Sequence, residues 1–259
     1  MNIPIITYHA IGEGPRPLWI SAEMFENHLR AFGREGYQTV TLEAAARMLK
    51  APHADNAPKP LVITFDDGYR NFFTAAWPIL ERFGFSATLF VVTDLCDGIE
   101  RERGEGTFTP VAPVLSWDEI RYLAGVGCEI GSHTRTHPHL PSIRDNALIL
   151  DEVVGSKRII EQEIGKPVRV LAYPYGSVES RSVAAVRASF RAAVTTELGV
   201  SGPSSDAYLL ERVDAYYLSP MHVAKLSTSA GRLWLRTRRA LRSIRRRVRP
   251  DFVAPDHQR

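Results

Sequence analysis

Three short motifs of the chain contain residue types that can carry out hydrolytic chemistry. The first, TFDDGY, places two adjacent carboxylates, Asp66 and Asp67, before a glycine that permits a bend. The second, HTRTHPHL, contains His133 and His137, whose spacing of four can bring both imidazoles to one side of a turn. Two histidines and one carboxylate form a metal-binding set with positions open to water, suited to Zn²⁺ or another divalent transition metal.

Each motif also has a simpler interpretation when it is taken alone. The Asp-Asp-Gly sequence can be a turn with solvated carboxylates, and an isolated HxxxH spacing is most often a polar helix face. His139 lies out of phase with the other two histidines, so we interpret it as a surface or outer residue rather than a ligand. In the third motif, YPYG, Pro174 fixes a turn, and ordinary packing beside that turn is the simpler interpretation of Tyr173 and Tyr175.

Each motif directly follows a predicted buried strand, and this placement brings the three together. The strands are runs of β-forming and apolar residues at 61–65, 128–132 and 168–172. The carboxyl ends of parallel strands meet at one edge, where α/β proteins bind their ligands. We therefore expect the three motifs to converge on one site.

The remaining pattern alternates strands with helices. Further strands are predicted at 3–8, 37–41, 87–92 and, as the last strand, 191–195. Helices are predicted after Ser21, after Thr41, at 72–83, after Ser116 with Glu119 in a capping box, at about 145–164 and at 179–188. About seven strands alternating with helices predict a mostly parallel sheet, open or closed into a barrel.

Composition limits the class of protein. The chain has 259 residues, of which 44% are hydrophobic and 24% charged, as in soluble globular proteins. Its two cysteines, Cys96 and Cys128, have apolar neighbours, which argues against a disulfide framework and favours a reducing compartment. The N-terminus resembles no signal peptide, and no stretch reaches the roughly 18 apolar residues of a membrane span. A cytoplasmic location is expected.

The C-terminal part of the chain is strongly basic. Residues 231–259 hold ten arginines and two acidic residues, whereas 22 basic and 27 acidic residues share residues 1–230. Apolar residues recur at helical spacing within the tail, at Leu233, Trp234, Leu241, Ile244 and Val248. We predict a catalytic domain over 1–230 and a tail over 231–259. The tail either binds an anionic membrane as an amphipathic helix, at the inner face, or is packed on the domain or disordered.

The three motifs, in this order and with similar spacing, resemble those of the polysaccharide deacetylase family, carbohydrate esterase family four, over roughly the first 200 residues. The resemblance implies a distorted (β/α) barrel of about seven parallel strands with a divalent metal held by Asp67, His133 and His137. Zn²⁺ is the first candidate. It also implies that Asp66 is the catalytic base and that the backbone N–H of Tyr175 stabilises the oxyanion. With a polysaccharide as substrate, Tyr173 and Tyr175 are candidates for the floor of a sugar groove. The segments YHAIG and SAEMFENHL are similar to those of members found with exopolysaccharide synthesis.

The chain departs from the family pattern at two places. Members often carry an arginine two residues before the motif proline, where it orients the base, but this chain has Ala172 there. Arg212 either replaces that arginine or lies on the surface. The late Leu-x-His motif that supplies a general acid is matched by His222 with a different spacing, and His9 after the first strand is an alternative acid. A core or loop role is the simpler interpretation for both histidines.

The expected function is metal-dependent removal of N-acetyl groups from an amino sugar in a polysaccharide or lipid-linked glycan. One alternative is the hydrolysis of a small cyclic amide, which similar proteins carry out on the same fold. The other is an inactive carbohydrate-binding relative, which the missing arginine would favour. Retention of a general base beside a metal-binding set argues against the inactive relative. No nucleic-acid partner is expected.

Overall fold

The computed structural model describes residues 1–51, 58–98, 108–226 and 228–248. The end of the predicted tail, residues 249–259, lies outside the described residues. Within the described residues the strands are β1 Ile5–Tyr8, β2 Ala10–Ile11, β3 Trp19–Ile20, β4 Tyr37–Thr39, β5 Lys59–Phe65, β6 Thr88–Val91, β7 Glu129–Ser132, β8 Val170–Ala172, β9 Ala192–Leu198 and β10 Leu210–Asp214.

The helices surround these strands. They are α1 Ala22–Arg34, α2 Leu42–Met48, α3 Trp77–Phe83, α4 Trp117–Gly125, α5 Asn146–Leu150, α6 Ser156–Ile164, α7 Ser180–Ser189, α8 Pro220–Lys225 and α9 Ser229–Val248. A π-helical turn, Phe72–Ala76, precedes α3, and a second, Asp151–Gly155, joins α5 to α6. The helices that the sequence predicts at 72–83 and at about 145–164 are therefore present, each with one widened turn.

Seven parallel strands close into a barrel in the order β1, β10, β9, β8, β7, β6, β5, because β5 also pairs with β1. The predicted (β/α) barrel is confirmed. The prediction that 191–195 is the last strand is wrong, because β10 follows it and completes the ring. Strand β4 is one of the seven strands that the sequence predicts, but it pairs with the start of β5 and lies outside the ring. The sequence of β10, LERVD, shows no apolar run, because one of its buried residues is the charged Arg212. The pattern of apolar residues therefore does not predict this strand.

Helix α2 closes the amino end of the barrel. It contacts β5 and β9, which are not neighbours in the ring, and its apolar side joins the strand residues of the barrel interior in one buried cluster. The carboxylate of Glu129, at the start of β7, accepts hydrogen bonds from the first backbone N–H groups of α2, at 2.6 Å from Leu42 and 3.2 Å from Glu43. The open end of the barrel is therefore the carboxyl end.

The predicted helix starts are confirmed by their caps. The hydroxyls of Ser21 and Thr41 accept from the backbone N–H groups of the third residues beyond them, and Ser116 forms a reciprocal capping box with Glu119. Cys96 and Cys128 are buried and free, as the sequence predicts. Among the described residues, none of the helices combines the length and the apolar character needed to span a bilayer.

The basic tail forms helix α9, which packs against the barrel. Leu235 is 2% exposed, and the Trp234 ring stacks on His222 of α8 with ring centroids 4.3 Å apart. The described part of the tail is thus a helix that contacts β9 and α8.

Candidate active site

The three motifs meet at the carboxyl end of the barrel. Asp66 and Asp67 follow β5 and His133 follows β7, while His137 lies four residues further along the chain. All four side chains are buried, with exposures between 2% and 5%. Convergence of the motifs on one site, as expected from the strand ends, is observed.

Left-handed backbone conformations concentrate around this cluster. Of the five non-glycine residues with positive φ among the described residues, four lie in the three motifs, namely Asp67, Thr134, His137 and Tyr175. Such conformations cost on the order of 1–3 kcal/mol each and persist only where the surroundings impose them. The bend predicted at Gly68 therefore begins one residue earlier, at Asp67. It points the side chains of Asp66 and Asp67 toward different partners.

Asp67, His133 and His137 point their ligand atoms at one another. The two Nε2 atoms are 3.1 Å apart, and Asp67 Oδ1 is 3.5 Å from each of them. Ligands bound tetrahedrally at about 2.0–2.1 Å from Zn²⁺ would be separated by about 3.3–3.4 Å. The donor set and its dimensions therefore fit a divalent metal such as Zn²⁺.

The protonation of both histidines bears on this fit. His133 Nδ1 lies 2.8 Å from the carbonyl oxygen of Ala172, so Nδ1 carries the proton and Nε2 presents a lone pair in the neutral ring. Burial, together with the charge of His133, lowers the pKa of His137 to about 3, so this imidazole is neutral. Burial alone would lower the pKa of His133, but the hydrogen bond of Asp67, the charges of both aspartates and the Ala172 carbonyl outweigh burial and raise it.

Asp66 has a different partner. Arg212, from β10, donates from Nη1 to Oδ1 at 2.8 Å and from Nη2 to Oδ2 at 2.7 Å. Arg212 is 2% exposed, so the surface alternative for it is wrong, and its guanidinium also donates to the backbone oxygen of Thr195 and the hydroxyl of Thr64. Burial raises the pKa of Asp66, but the charge and hydrogen bonds of Arg212 outweigh burial and lower it. Asp66 is thus an oriented carboxylate, separate from the three converging ligand atoms.

The charges of the buried groups do not balance among themselves. Within the cluster, as far as the described residues go, two carboxylates, Asp66 and Asp67, face a single permanent cation, Arg212. An unpaired buried charge is costly, so a bound cation would stabilise the cluster. This imbalance agrees with the geometry of the three ligand atoms.

His9 lies at the rim of the site. Its Nε2 is 4.0 Å from Asp66 Oδ2, and its side chain is 13% exposed. The structure thus places one of the two candidate acids at the cluster. His222 instead shares a hydrogen bond with the Ser219 hydroxyl and stacks on Trp234, away from the cluster in its described contacts. His139 is exposed, in agreement with its interpretation as a surface residue.

The YPYG turn contributes one aromatic residue to the site, not two. Tyr173 is fully buried, so its predicted place in the floor of a sugar groove is wrong. Side chains alternate between the two faces of a strand, and Tyr173, directly after β8, continues this alternation. Its side chain therefore points into the hydrophobic core. Tyr175 is partly exposed and its ring contacts His137 edge-on, with centroids 4.6 Å apart. Pro174 is buried and begins the turn.

Two further residues at the site, Phe108 and Glu152, were not predicted. The ring of Phe108 lies against His137, with centroids 4.1 Å apart. The carboxylate of Glu152, from the π-helical turn, accepts from the backbone N–H groups of Arg135 and Thr136 at 2.9 Å each and so supports the histidine loop. Nothing in the local sequence pattern identifies such supports, although a widened helical turn often marks a functional site.

The chain matches known proteins in sequence and structure. The sequence model described as polysaccharide deacetylase matches residues 53–192. The relative YxkH of Bacillus subtilis, whose name describes it as a polysaccharide deacetylase, is 29% identical over 215 residues. These residues cover 82% of this chain and 71% of the relative. The poly-β-1,6-N-acetyl-D-glucosamine N-deacetylase of Staphylococcus aureus is 22% identical over 75% of this chain and 67% of the relative. The structure of the Streptococcus pyogenes deacetylase PplD in complex with acetate superposes with a TM-score of 0.77 at 25% identity, covering 87% and 98%.

Proposed function

The chain belongs to the polysaccharide deacetylase family, and we propose that it is a metal-dependent hydrolase that removes N-acetyl groups from an amino sugar. The observation that carries the proposal is that a set of metal-ligand atoms and a separately oriented carboxylate lie side by side at one rim. Asp67, His133 and His137 converge with ligand geometry, and beside them Asp66 is oriented by Arg212 without joining their ligand atoms. A binding protein without catalysis has no need of the second arrangement.

Asp67, His133 and His137 would hold the ion, with Zn²⁺ as the first candidate. When bound, a divalent ion supplies Lewis-acid chemistry, activating water and polarising a carbonyl group. The protein residues would do the rest. The carbonyl of Ala172 fixes the proton of His133 on Nδ1, which leaves Nε2 free for the ion.

Asp66 would accept the proton of the attacking water. Each of its oxygens accepts from Arg212, and each retains a second lone pair for this purpose. In the hydrolysis a C–O bond forms at the acetyl carbon, the C–N bond breaks, and the products are acetate and a free amine. His9, 4.0 Å from Asp66, is the candidate to protonate the departing nitrogen. The backbone N–H of Tyr175 would stabilise the oxyanion.

The proposed substrate is an acetylated amino sugar in a polysaccharide or lipid-linked glycan. The name of the S. aureus relative specifies N-deacetylation of poly-N-acetylglucosamine, and the S. pyogenes deacetylase was determined in complex with acetate, the product that such a reaction releases. Tyr175 and Phe108 are partly exposed beside His137 and would provide aromatic walls for sugar rings.

The test is acetate release by the metal-loaded protein from β-1,4- and β-1,6-linked N-acetylglucosamine oligomers and from lipid-linked N-acetylhexosamine, with mass spectrometry of the sugars. Release that disappears with a chelator and returns with Zn²⁺ is expected. Metal-free protein that works equally well would remove the metal from the proposal. Turnover of cyclic amides with no acetate released from any sugar would instead support the small-amide alternative.

A further inference from the structure

The two sides of helix α9 differ in what they contact. The inner side packs on the protein through Leu235, which is 2% exposed, and Trp234 stacks on His222 of α8. Arg239 adds an ion pair from Nε to Glu197 Oε1 at 2.5 Å. These contacts fix which side of the helix faces away from the protein.

The outer side carries exposed leucines. Leu233 is 64% exposed and Leu241 is 56% exposed. Eight residues of an α-helix rotate by about two turns and 80°, so the two leucines share one side, and Thr237 lies between them. By sequence spacing alone, an isoleucine at 244 and a valine at 248 follow at the same helical phase. Leu233 and Leu241 thus form an apolar stripe, called here the leucine stripe, on the side of α9 that faces away from the barrel.

Arginines flank this stripe. Residues 229–248 include eight arginines and no acidic residue, and Arg236 and Arg238 are exposed, whereas Arg239 is paired with Glu197 on the inner side. The Arg238 guanidinium lies over the rings of Trp234 and Tyr217, 4.9 and 5.3 Å from their centroids. We propose that α9 is a docking surface for an anionic lipid bilayer, with the leucine stripe inserted at the boundary and the arginines at the lipid headgroups.

The leucines favour a bilayer over another polyanion. A nucleic acid would neutralise the arginines equally well, but it would leave Leu233 and Leu241 in water. A bilayer satisfies both features at once, because apolar side chains enter the acyl region while the charged side chains remain among the headgroups. Charge complementarity and the exposed stripe thus point to the same occupant.

The position of α9 relates this surface to the open end of the barrel. Its partners Glu197, near the end of β9, and Tyr217, after β10, both lie toward the carboxyl ends of the strands. Docking would therefore hold that end of the barrel close to the bilayer. Docking through α9 does not require the proposed deacetylase activity.

The experiment is co-sedimentation of the full-length protein with phosphatidylglycerol/phosphatidylcholine vesicles and with phosphatidylcholine vesicles alone, at low and high salt. The test variant is Leu233→Gln with Leu241→Gln. The matched control is Leu148→Gln with Leu150→Gln, because these helix leucines are 55% and 50% exposed but lie on α5 rather than on α9. Circular dichroism and thermal unfolding verify that both variants remain folded. A short DNA duplex is added as a competitor in a parallel series.

We expect the wild type and the control to bind anionic vesicles, more weakly at high salt, and the α9 variant to bind at least about tenfold more weakly. No binding by the wild type would overturn the inference. So would equal binding by the α9 variant, or DNA binding that is unaffected by the leucine changes and as tight as vesicle binding, since arginines alone would then account for the surface.

Discussion

Arg212 reaches Asp66 from a strand that is not its neighbour. Arg212 lies on β10 and Asp66 follows β5, and β1 separates these two strands in the ring. The guanidinium nevertheless donates to both carboxylate oxygens, at 2.8 and 2.7 Å. Family members often supply this arginine two residues before the YPYG proline, where the present chain has the buried Ala172. Barrel closure brings the ends of β5 and β10 to one rim, so β10 can supply the arginine that pairs with Asp66.

Loss of a ligand should remove the metal. We expect Asp67→Ala, His133→Ala and His137→Ala each to lower metal content and activity together, because their ligand atoms lie within 4.8 Å of one another. The measurement is metal per protein by elemental analysis, alongside acetate release. His139→Ala is the matched control, since His139 belongs to the same motif but is exposed. Full stoichiometric metal in all three ligand variants would contradict the site.

Removal of the base should separate metal binding from turnover. Asp66→Asn is expected to retain the metal and to lose about 10²- to 10⁴-fold in kcat, the range for general acid-base catalysis. Metal content and kcat are measured on the same preparation. An unchanged kcat with metal bound would show that Asp66 is not the base.

The orientation of Asp66 should depend on the shape of the guanidinium. Arg212→Lys keeps the charge but cannot donate to both oxygens in parallel, so kcat should fall by about tenfold or more while KM changes little. Arg212→Ala leaves a buried carboxylate without its partner and should destabilise the fold by about 3–5 kcal/mol. Denaturant unfolding separates the two effects. A lysine variant with wild-type kcat would mean that only the charge matters.

Glu129 should stabilise the closed end of the barrel. Its carboxylate accepts from the backbone of Leu42 and Glu43 and from the Thr88 hydroxyl, the last at 2.6 Å. Glu129→Ala leaves these donors unpaired next to the N-terminus of α2 and is expected to lower the free energy of unfolding by about 2–3 kcal/mol. The control is Glu23→Ala, because Glu23 also lies in the first turn of a helix, α1, but is exposed. A loss no greater than in the control would refute the capping role.

His28 should make stability depend on pH. It is buried, its Nδ1 lies 3.0 Å from the Tyr8 hydroxyl, and burial lowers its pKa from the ordinary 6.5 to about 4 despite the nearby backbone of Leu218. The unfolded chain therefore binds the extra proton first, so stability falls as pH drops from about 6.5 towards 4, by on the order of 3 kcal/mol. Urea unfolding of the wild type and of His28→Gln across this range measures the difference. Parallel pH profiles would exclude His28 as the cause.

The amino-acid sequence by itself determined the local features of this protein. Runs of β-branched and apolar residues define most of the strands, and Ser21, Thr41 and Ser116 define helix starts, because both signals are carried by neighbouring residues. The convergence of the three motifs also follows from the sequence, since parallel strands deliver their carboxyl ends to one edge.

Only the tertiary structure decided which distant residues complete the site. The local pattern does not reveal that Arg212 is buried, because a charged residue is buried only where a remote carboxylate pairs with it. For the same reason β10 lacked an apolar signature. The burial of Tyr173 and the side on which α9 faces the barrel are likewise set by packing between segments far apart in the chain. Such contacts depend on barrel closure, which brings together residues that no local pattern connects.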